Sequence, residues 1–416
     1  MELHELHQVI NVFVDLLRHT DFVAGFLVAI IFGAYRLIRP ISLNFVIVNL
    51  LSLAFLIIMY NLDTIVVAGI ITLFIFGLCQ GIERLTGRIR WVFALVGVLS
   101  AVGLLAVYKY SLIREGIEFL YPSFSLTVQI FGISYFTFKL IHVIVDTYCR
   151  RIEAVRLSSL LSYIFFFPAF LSGPIDRYQN FSGFRRHWGT MTEQDFNYGL
   201  ERIIYGLFQK FVLADYIRDW IIPVLGNIYQ FPQGYVALCA AMYSFQLYFD
   251  FAGYSNLAIG TARLFGYRLP ENFNRPYLKR NLREFWRSWH MSLTSWLRDY
   301  VYIPLGGSRR SYCRTLLNTL VLMAVCGIWH GSTWNFLIWG VYHGLGLVTV
   351  RVYGSLLQTL PDARLWNQLK TFLKHSWFSY AVSLVMTFIF VAVGWVFFFN
   401  SWETSLQIIR YVVSGD

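Results

Sequence analysis

Apolar positions in this chain come as long unbroken runs, without the two-residue or 3.6-residue alternation that marks a water-facing strand or helix. A membrane-crossing helix needs about 20 apolar residues. Runs close to that size cover 22–38, 42–61, 64–80, 91–108, 125–146 and 157–173, then 199–224, 234–262, 316–340, 341–357 and 376–399. The pattern predicts an all-α polytopic membrane protein with about ten or eleven membrane helices. Residues 1–20 depart from it, because Glu2, Glu5, Asp15 and Arg18 sit among their apolar residues. They predict an amphipathic helix lying at the interface, not a cleavable leader. No internal repeat, low-complexity tract or linker interrupts the chain, so residues 1–416 are expected to form a single transmembrane domain.

Two stretches break the pattern. Arg36 and Arg39, then Arg84, Arg88 and Arg90, then Arg150, Arg151 and Arg156 fall in every second loop, which puts those loops in the cytoplasm and the N-terminus outside. After residue 173 the rule fails, since the next loop, "GPIDRYQNFSGFRRHW", is basic again. Segment 157–173, interrupted by Pro168, is therefore expected to enter the membrane without fully crossing it. The second stretch runs from Arg263 to Arg314, with eleven Arg or Lys among many aromatics. It is too polar for a lipid-facing span and too apolar for a solvent loop, and it predicts interfacial or re-entrant helices.

Composition sharpens this picture. The chain is 57% hydrophobic and 14% charged, outside the soluble globular range. Aromatics reach 19%, more than interfacial belts require, which points to an aromatic-lined interior. The net charge of +11 sits in short loops, where it sets topology and meets anionic headgroups, so lipids and not nucleic acid are the expected contact. Cys79, Cys149, Cys239, Cys313 and Cys326 form no CxxC pair, so neither a disulfide framework nor a metal site is expected.

Ionisable groups inside a membrane are costly and mark functional candidates. In "FWRSWHMSLTSWLRDYVYIPLGG", read as one helix, Trp286, Trp289, His290, Leu293, Leu297 and Tyr300 share a face, with Arg287, Thr294 and Arg298 at its edge. His290 would then look into aromatic surroundings. In "CGIWHGSTWNFLIWGVYHGLGL", His330 lies between Gly327 and Gly331, which leave room for a substrate or for another helix. His330 is a reacting residue or a polar bundle contact on this evidence, whereas His142 and His343 read as packed polar residues. Asp250, in "QLYFDFAGYSNLAIG", needs a cation, and the arginines of 275–298 are the expected supply. "FPAFLSGPIDRYQNF" reads as a sharp turn closed by Asp176 and Arg177. No HxxxH spacing or GxSxG elbow occurs, which argues against a zinc enzyme and a serine hydrolase.

"NFNRPYLKRNLREFWRSWHMSLTSWLRDYVYIPLGG" and "GIWHGSTWNFLIWGVYHG", preceded by "LSGPIDRY" and "FDFAGYSNLAIG", resemble the bacterial membrane-bound O-acyltransferases over residues 125–400. The resemblance implies a ring of helices around a central funnel with short tilted helices inside. It implies catalysis by His330, with His290 as the second histidine of the site. Motifs such as "WLRDYVYIPLGG" look like the alginate and exopolysaccharide O-acetylation branch, whereas "LSGPIDR" and "FDFAGYS" look more like the branch that transfers D-alanine toward teichoic acid.

The expected reaction moves an acyl group, acetyl or alternatively D-alanyl, from a cytoplasmic thioester to a hydroxyl of an extracytoplasmic polymer or partner acyltransferase. Acyl-CoA or an acyl-phosphopantetheine carrier would be the donor, with no tightly bound cofactor. His330 would act as general base, and His290 would orient the thioester or stabilise its oxyanion. Asp250, Arg283, Arg287, Arg298, Trp334 and Asn335 are candidate donor or substrate contacts, and Arg275, Lys279 and Arg280 join Arg283 as candidate phosphate ligands. Cys326, one helical turn before His330, is a candidate acyl acceptor in a ping-pong variant. A transporter that moves an acyl or glycan lipid without chemistry is the alternative from another class.

Overall fold

A computed structural model describes residues 25–37, 44–59, 62–110, 132–184, 191–359 and 376–415, with a few isolated positions missing or added. The expected interfacial helix 1–20 lies outside the described residues, as does the start of run 125–146. Every regular element among the described residues is a helix. Among the described residues five helices are long and apolar enough to cross a membrane: Leu62–Arg84, Gly87–Lys109, Tyr312–His330, Trp334–Gln358 and Trp377–Phe399. Shorter apolar helices, Gly25–Leu37 and Asn44–Met59, match the first two runs. The chain is an all-α polytopic membrane protein, as the hydrophobic pattern predicts.

Where boundaries move, local chemistry explains the shift. Segment 157–173 becomes the short helix Leu157–Ile164 and a 3-10 turn, Phe167–Ala169, with Pro168 at its start. Run 199–224 is three pieces: Glu193–Leu207, the π-helical Phe208–Ala214, and Asp215–Gly226, which contains Pro223. The two runs 316–340 and 341–357 are the helices Tyr312–His330 and Trp334–Thr359, broken at 331–333 and not at 340. Gly331 ends the first helix in an extended conformation, whereas Gly340 lies inside the second helix at a backbone contact.

The stretch around His290 is not one helix. It is Leu282–Trp286, then a turn with His290 in the left-handed region (φ 44°), then Met291–Leu297 and the π-helical Arg298–Tyr302. Most of the expected face survives the break, because Trp286, Trp289, His290, Leu293 and Leu297 are buried, whereas Tyr300 is half-buried. A further helix, Trp402–Ser414, absent from the hydrophobic runs, starts at Ser401, whose hydroxyl accepts the Thr404 N–H.

The chain divides into two compact units, Met1–Gly206 with Tyr254–Pro270, and Leu207–Gly253 with Glu271–Asp416. In the first, Leu62–Arg84 and Gly87–Lys109 form a hairpin turning at Gly87 (φ 65°), packed on Ile133–Tyr148. Arg90 caps that helix by donating to the Thr147 and Tyr148 carbonyls. Arg36, expected as a loop signal, is buried and donates to the Leu264 carbonyl at 3.1 Å. Gly173 makes the turn after the 3-10 segment, where a Cβ would sit 2.6 Å from Ala169 Cα and the Pro168 carbonyl oxygen. Asp176 follows, accepting from Asn180 at 3.2 Å, and burial pushes its carboxyl up to about 6.

Candidate active site

The second unit contains both candidate histidines. The helix Tyr312–His330 begins at Ser311, whose hydroxyl accepts the Arg314 N–H, and Asn318 ties down the preceding loop by donating to the Leu305 and Gly307 carbonyls. It then crosses Trp334–Thr359 at Gly327 and Gly340. A Cβ on Gly327 would strike the Phe336 carbonyl, and one on Gly340 the Met323 carbonyl, so the two backbones are in contact. Gly331 lies under the Phe336 ring. The glycines around His330 therefore admit a neighbouring helix and a phenylalanine.

His330 is the last residue of its helix and is half-buried. Its ring meets Trp339 (5.0 Å, 85°) and Phe398 (4.9 Å, 78°) nearly edge-on and lies 4.4 Å from the Trp329 ring. The carbonyl end of the helix dipole is thus at the imidazole. This differs from the expectation of a histidine within a continuous apolar span, since the helix break puts the ring at an end.

His290 is only 3% exposed. Its ring is perpendicular to Phe251 at 4.6 Å and lies 6.5 Å from Trp329. The two imidazoles therefore share one indole neighbour. Burial lowers the His290 pKa to about 3, so the ring is neutral at any physiological pH. Its Nδ1 lies 3.4 Å from Asn272 Oδ1. Two main-chain hydrogen bonds, Met291 N–H to the Asn272 carbonyl (2.9 Å) and Asn274 N–H to the Ser288 carbonyl (3.0 Å), pair these segments and hold the left-handed turn.

Beneath them is an aromatic wall. Trp289 stacks on Phe285 at 5.6 Å, Trp395 lies 5.0 Å from Trp289, and Trp339 stacks on Trp395 at 5.6 Å. His343 is fully buried among Trp286, Trp339 and Trp395, and both its ring nitrogens lack a hydrogen-bond partner. A packing role suits it. His142, in the first unit, is bonded through both nitrogens, to Asp146 (3.3 Å) and to the Tyr178 N–H (2.8 Å).

The other candidates are scattered. Asp250 pairs with Lys210 at 2.5 Å, and not with an arginine of 275–298 as expected. Lys210 belongs to the π-helical segment, a feature frequent at functional sites. Arg283 and Arg287 are exposed, and Arg298 is exposed with its Nε on Asp299 at 2.9 Å. Trp334 is 75% exposed, while the neighbouring Asn335 is buried and donates to the Phe397 carbonyl at 3.0 Å. Cys326 is 1% exposed. Sequence reasoning assigned no role to Asn272, Trp329 or Lys210. Lys210 has a signal, a cation at the middle of the apolar run 199–224 between Arg202 and Arg218, and Asn272 opens the "NFNRPY" motif.

Residues 91–391 match the model of the membrane-bound O-acyltransferase family. The chain is 34% identical over 318 residues to a protein of Pseudomonas aeruginosa called probable alginate O-acetylase AlgI, covering 74% of this chain and 57% of that one. It is 30% identical over 361 residues to the peptidoglycan O-acetyltransferase of Helicobacter pylori, covering 77% and 64%. It is 32% identical over 329 residues to the teichoic acid D-alanyltransferase of Streptococcus thermophilus, covering 74% and 75%. The chain spans little more than half the length of the alginate relatives it matches.

Proposed function

That the chain belongs to the membrane-bound O-acyltransferase family is the premise from which we propose acyl transfer across a bacterial inner membrane, with His330 as general base. The oxygen of an acceptor hydroxyl attacks the thioester carbonyl carbon, and its proton passes to His330. As the carbon–sulfur bond breaks, the leaving thiolate takes that proton from the imidazolium. The observation that carries this reading is the pair of imidazoles on one indole, His290 buried and His330 half-buried at a helix end. Such base catalysis contributes about 10²–10⁴-fold, and alignment of the two substrates supplies the rest.

The donor is acyl-CoA or an acyl-phosphopantetheine carrier. The exposed Arg275, Arg283 and Arg287 suit its phosphates, and they suit anionic headgroups equally. The acceptor is a hydroxyl of an extracytoplasmic polymer or of a partner acyltransferase. Acetyl is the favoured group, because the alginate and peptidoglycan relatives are both named for O-acetylation. D-alanyl is the second reading, favoured by coverage, since the chain matches 75% of the streptococcal relative's length.

Membranes holding the protein, given labelled acetyl-CoA in one arm and a labelled D-alanyl carrier in the other, decide between them. Acetyl label on envelope polymer is expected. D-alanyl label instead would establish the second reading, and label in neither product would overturn the proposal.

A further inference from the structure

Asn272 is fully buried, and its Oδ1 is the meeting point of three groups. The Ser292 hydroxyl donates to it at 2.6 Å, the Ser292 main-chain N–H reaches it at 3.4 Å, and His290 Nδ1 lies 3.4 Å away. A main-chain N–H can only donate, so the amide atom facing it is the oxygen. An amide oxygen can only accept, so His290 Nδ1 carries the proton. The lone pair of the neutral ring is then on Nε2.

We infer that Asn272 is a positioning residue that fixes His290 as the Nδ1–H tautomer and so makes its Nε2 a hydrogen-bond acceptor toward substrate. This rests on the reading in which His290 touches substrate, and it narrows His290's role. An unprotonated nitrogen cannot donate to the oxyanion of a tetrahedral intermediate. It can hold a substrate O–H or amide N–H, which fits the acceptor hydroxyl or the amide-bearing pantetheine arm of the donor.

The same chain shows why an amide stands here. His142 has a carboxylate, Asp146, at its Nδ1, and Asp146 is in turn bonded by Arg151 and Gln179. A carboxylate at Nδ1 favours imidazolium, whereas an amide selects the tautomer without adding charge. The backbone supports of the turn, Met291 N–H to the Asn272 carbonyl and Asn274 N–H to the Ser288 carbonyl, do not involve the Asn272 side chain. Substitution at 272 therefore leaves the turn its main-chain anchors.

The test compares kcat and KM for labelled acyl transfer across pH 5–9 in wild type, Asn272→Ala, Asn272→Asp and His290→Ala, each purified and checked for monodispersity and Tm. Asn272→Ala is expected to lower kcat/KM about tenfold, the loss of one hydrogen bond. Asn272→Asp is expected to retain transfer at pH 8 and to move the acid limb of the profile up into the measured range, since a carboxylate beside the ring raises the His290 pKa by about 2–3 units from about 3. A merely structural Asn272 would lower stability and yield without moving that limb. If Asn272→Asp gives the wild-type profile while His290→Ala abolishes transfer, the inference fails and the role of His290 stands. If His290→Ala transfers normally, both fail. Should Asn272→Ala not fold, the near-isosteric Asn272→Asp still decides.

Discussion

Among the described residues, two helical hairpins are of similar size and different design. Leu62–Arg84 with Gly87–Lys109, in the first unit, turns at one glycine. Its helices carry their charges near the ends, and glycines such as Gly69, Gly77 and Gly103 have open space where a Cβ would go. Tyr312–His330 with Trp334–Thr359, in the second, brings its backbones together at Gly327 and Gly340 and stops one helix at an imidazole. The first hairpin meets the membrane's demand that backbone groups be satisfied within the helix, and it packs on Ile133–Tyr148. The second meets it too, and also holds an imidazole at a helix end against Trp329, Trp339 and Phe398.

The largest way to break the contrast is at the imidazole. His330→Ala is expected to cut acyl transfer about 10²–10⁴-fold, while Thr72→Val, inside the first hairpin, leaves the rate unchanged. Radiolabel incorporation at matched protein level reads both. Next come the glycines. Gly340→Ala forces a methyl into the Met323 carbonyl and should cost about 1–3 kcal/mol, whereas Gly103→Ala, in open space, should gain up to about 1 kcal/mol in helix propensity. Thermal unfolding in detergent gives opposite signs for the two variants.

A third effect is pH-dependent. The His290 pKa is depressed from 6.5 to about 3, so the unfolded chain binds the extra proton between those values. The stability this group contributes is complete above about pH 6.5 and is lost as pH falls toward 3. Between pH 6.5 and 5 the loss is about 2 kcal/mol. His290→Asn, whose side chain tolerates the left-handed backbone, should show a correspondingly flatter slope when Tm is followed against pH. An equal slope in both proteins would contradict a buried neutral imidazole. The smallest effect is at Cys326, one turn from His330 and almost fully buried. Cys326→Ala is expected to keep transfer within about twofold, and loss of activity would favour an acyl-cysteine intermediate.

The sequence pattern locates helices well here and locates their breaks badly, for a physical reason. When a helix is apolar on both its lipid face and its packed face, hydrophobic contrast vanishes, and a break inside an apolar run leaves no period to lose. Gly340 looked like a boundary and is a packing contact, while Gly331-Ser332-Thr333 looked internal and is the boundary. Trp286, Trp289, His290, Leu293 and Leu297 fit a continuous helix and also fit two short helices around a left-handed turn. Both histidines were legible because an ionisable group in a membrane-depth stretch stands out. Asn272 was not, since its role depends on a hydrogen bond to residues eighteen and twenty positions away.

Proteoliposomes bearing a labelled acyl thioester on one side and an acceptor polymer on the other test the central claim most directly, with released thiol and acylated product counted together. Wild-type protein should release thiol in step with product, and His330→Ala should do neither. If His330→Ala acylates the polymer at the wild-type rate, or if intact donor crosses with no thiol released, the imidazole at the end of the second hairpin is not the base.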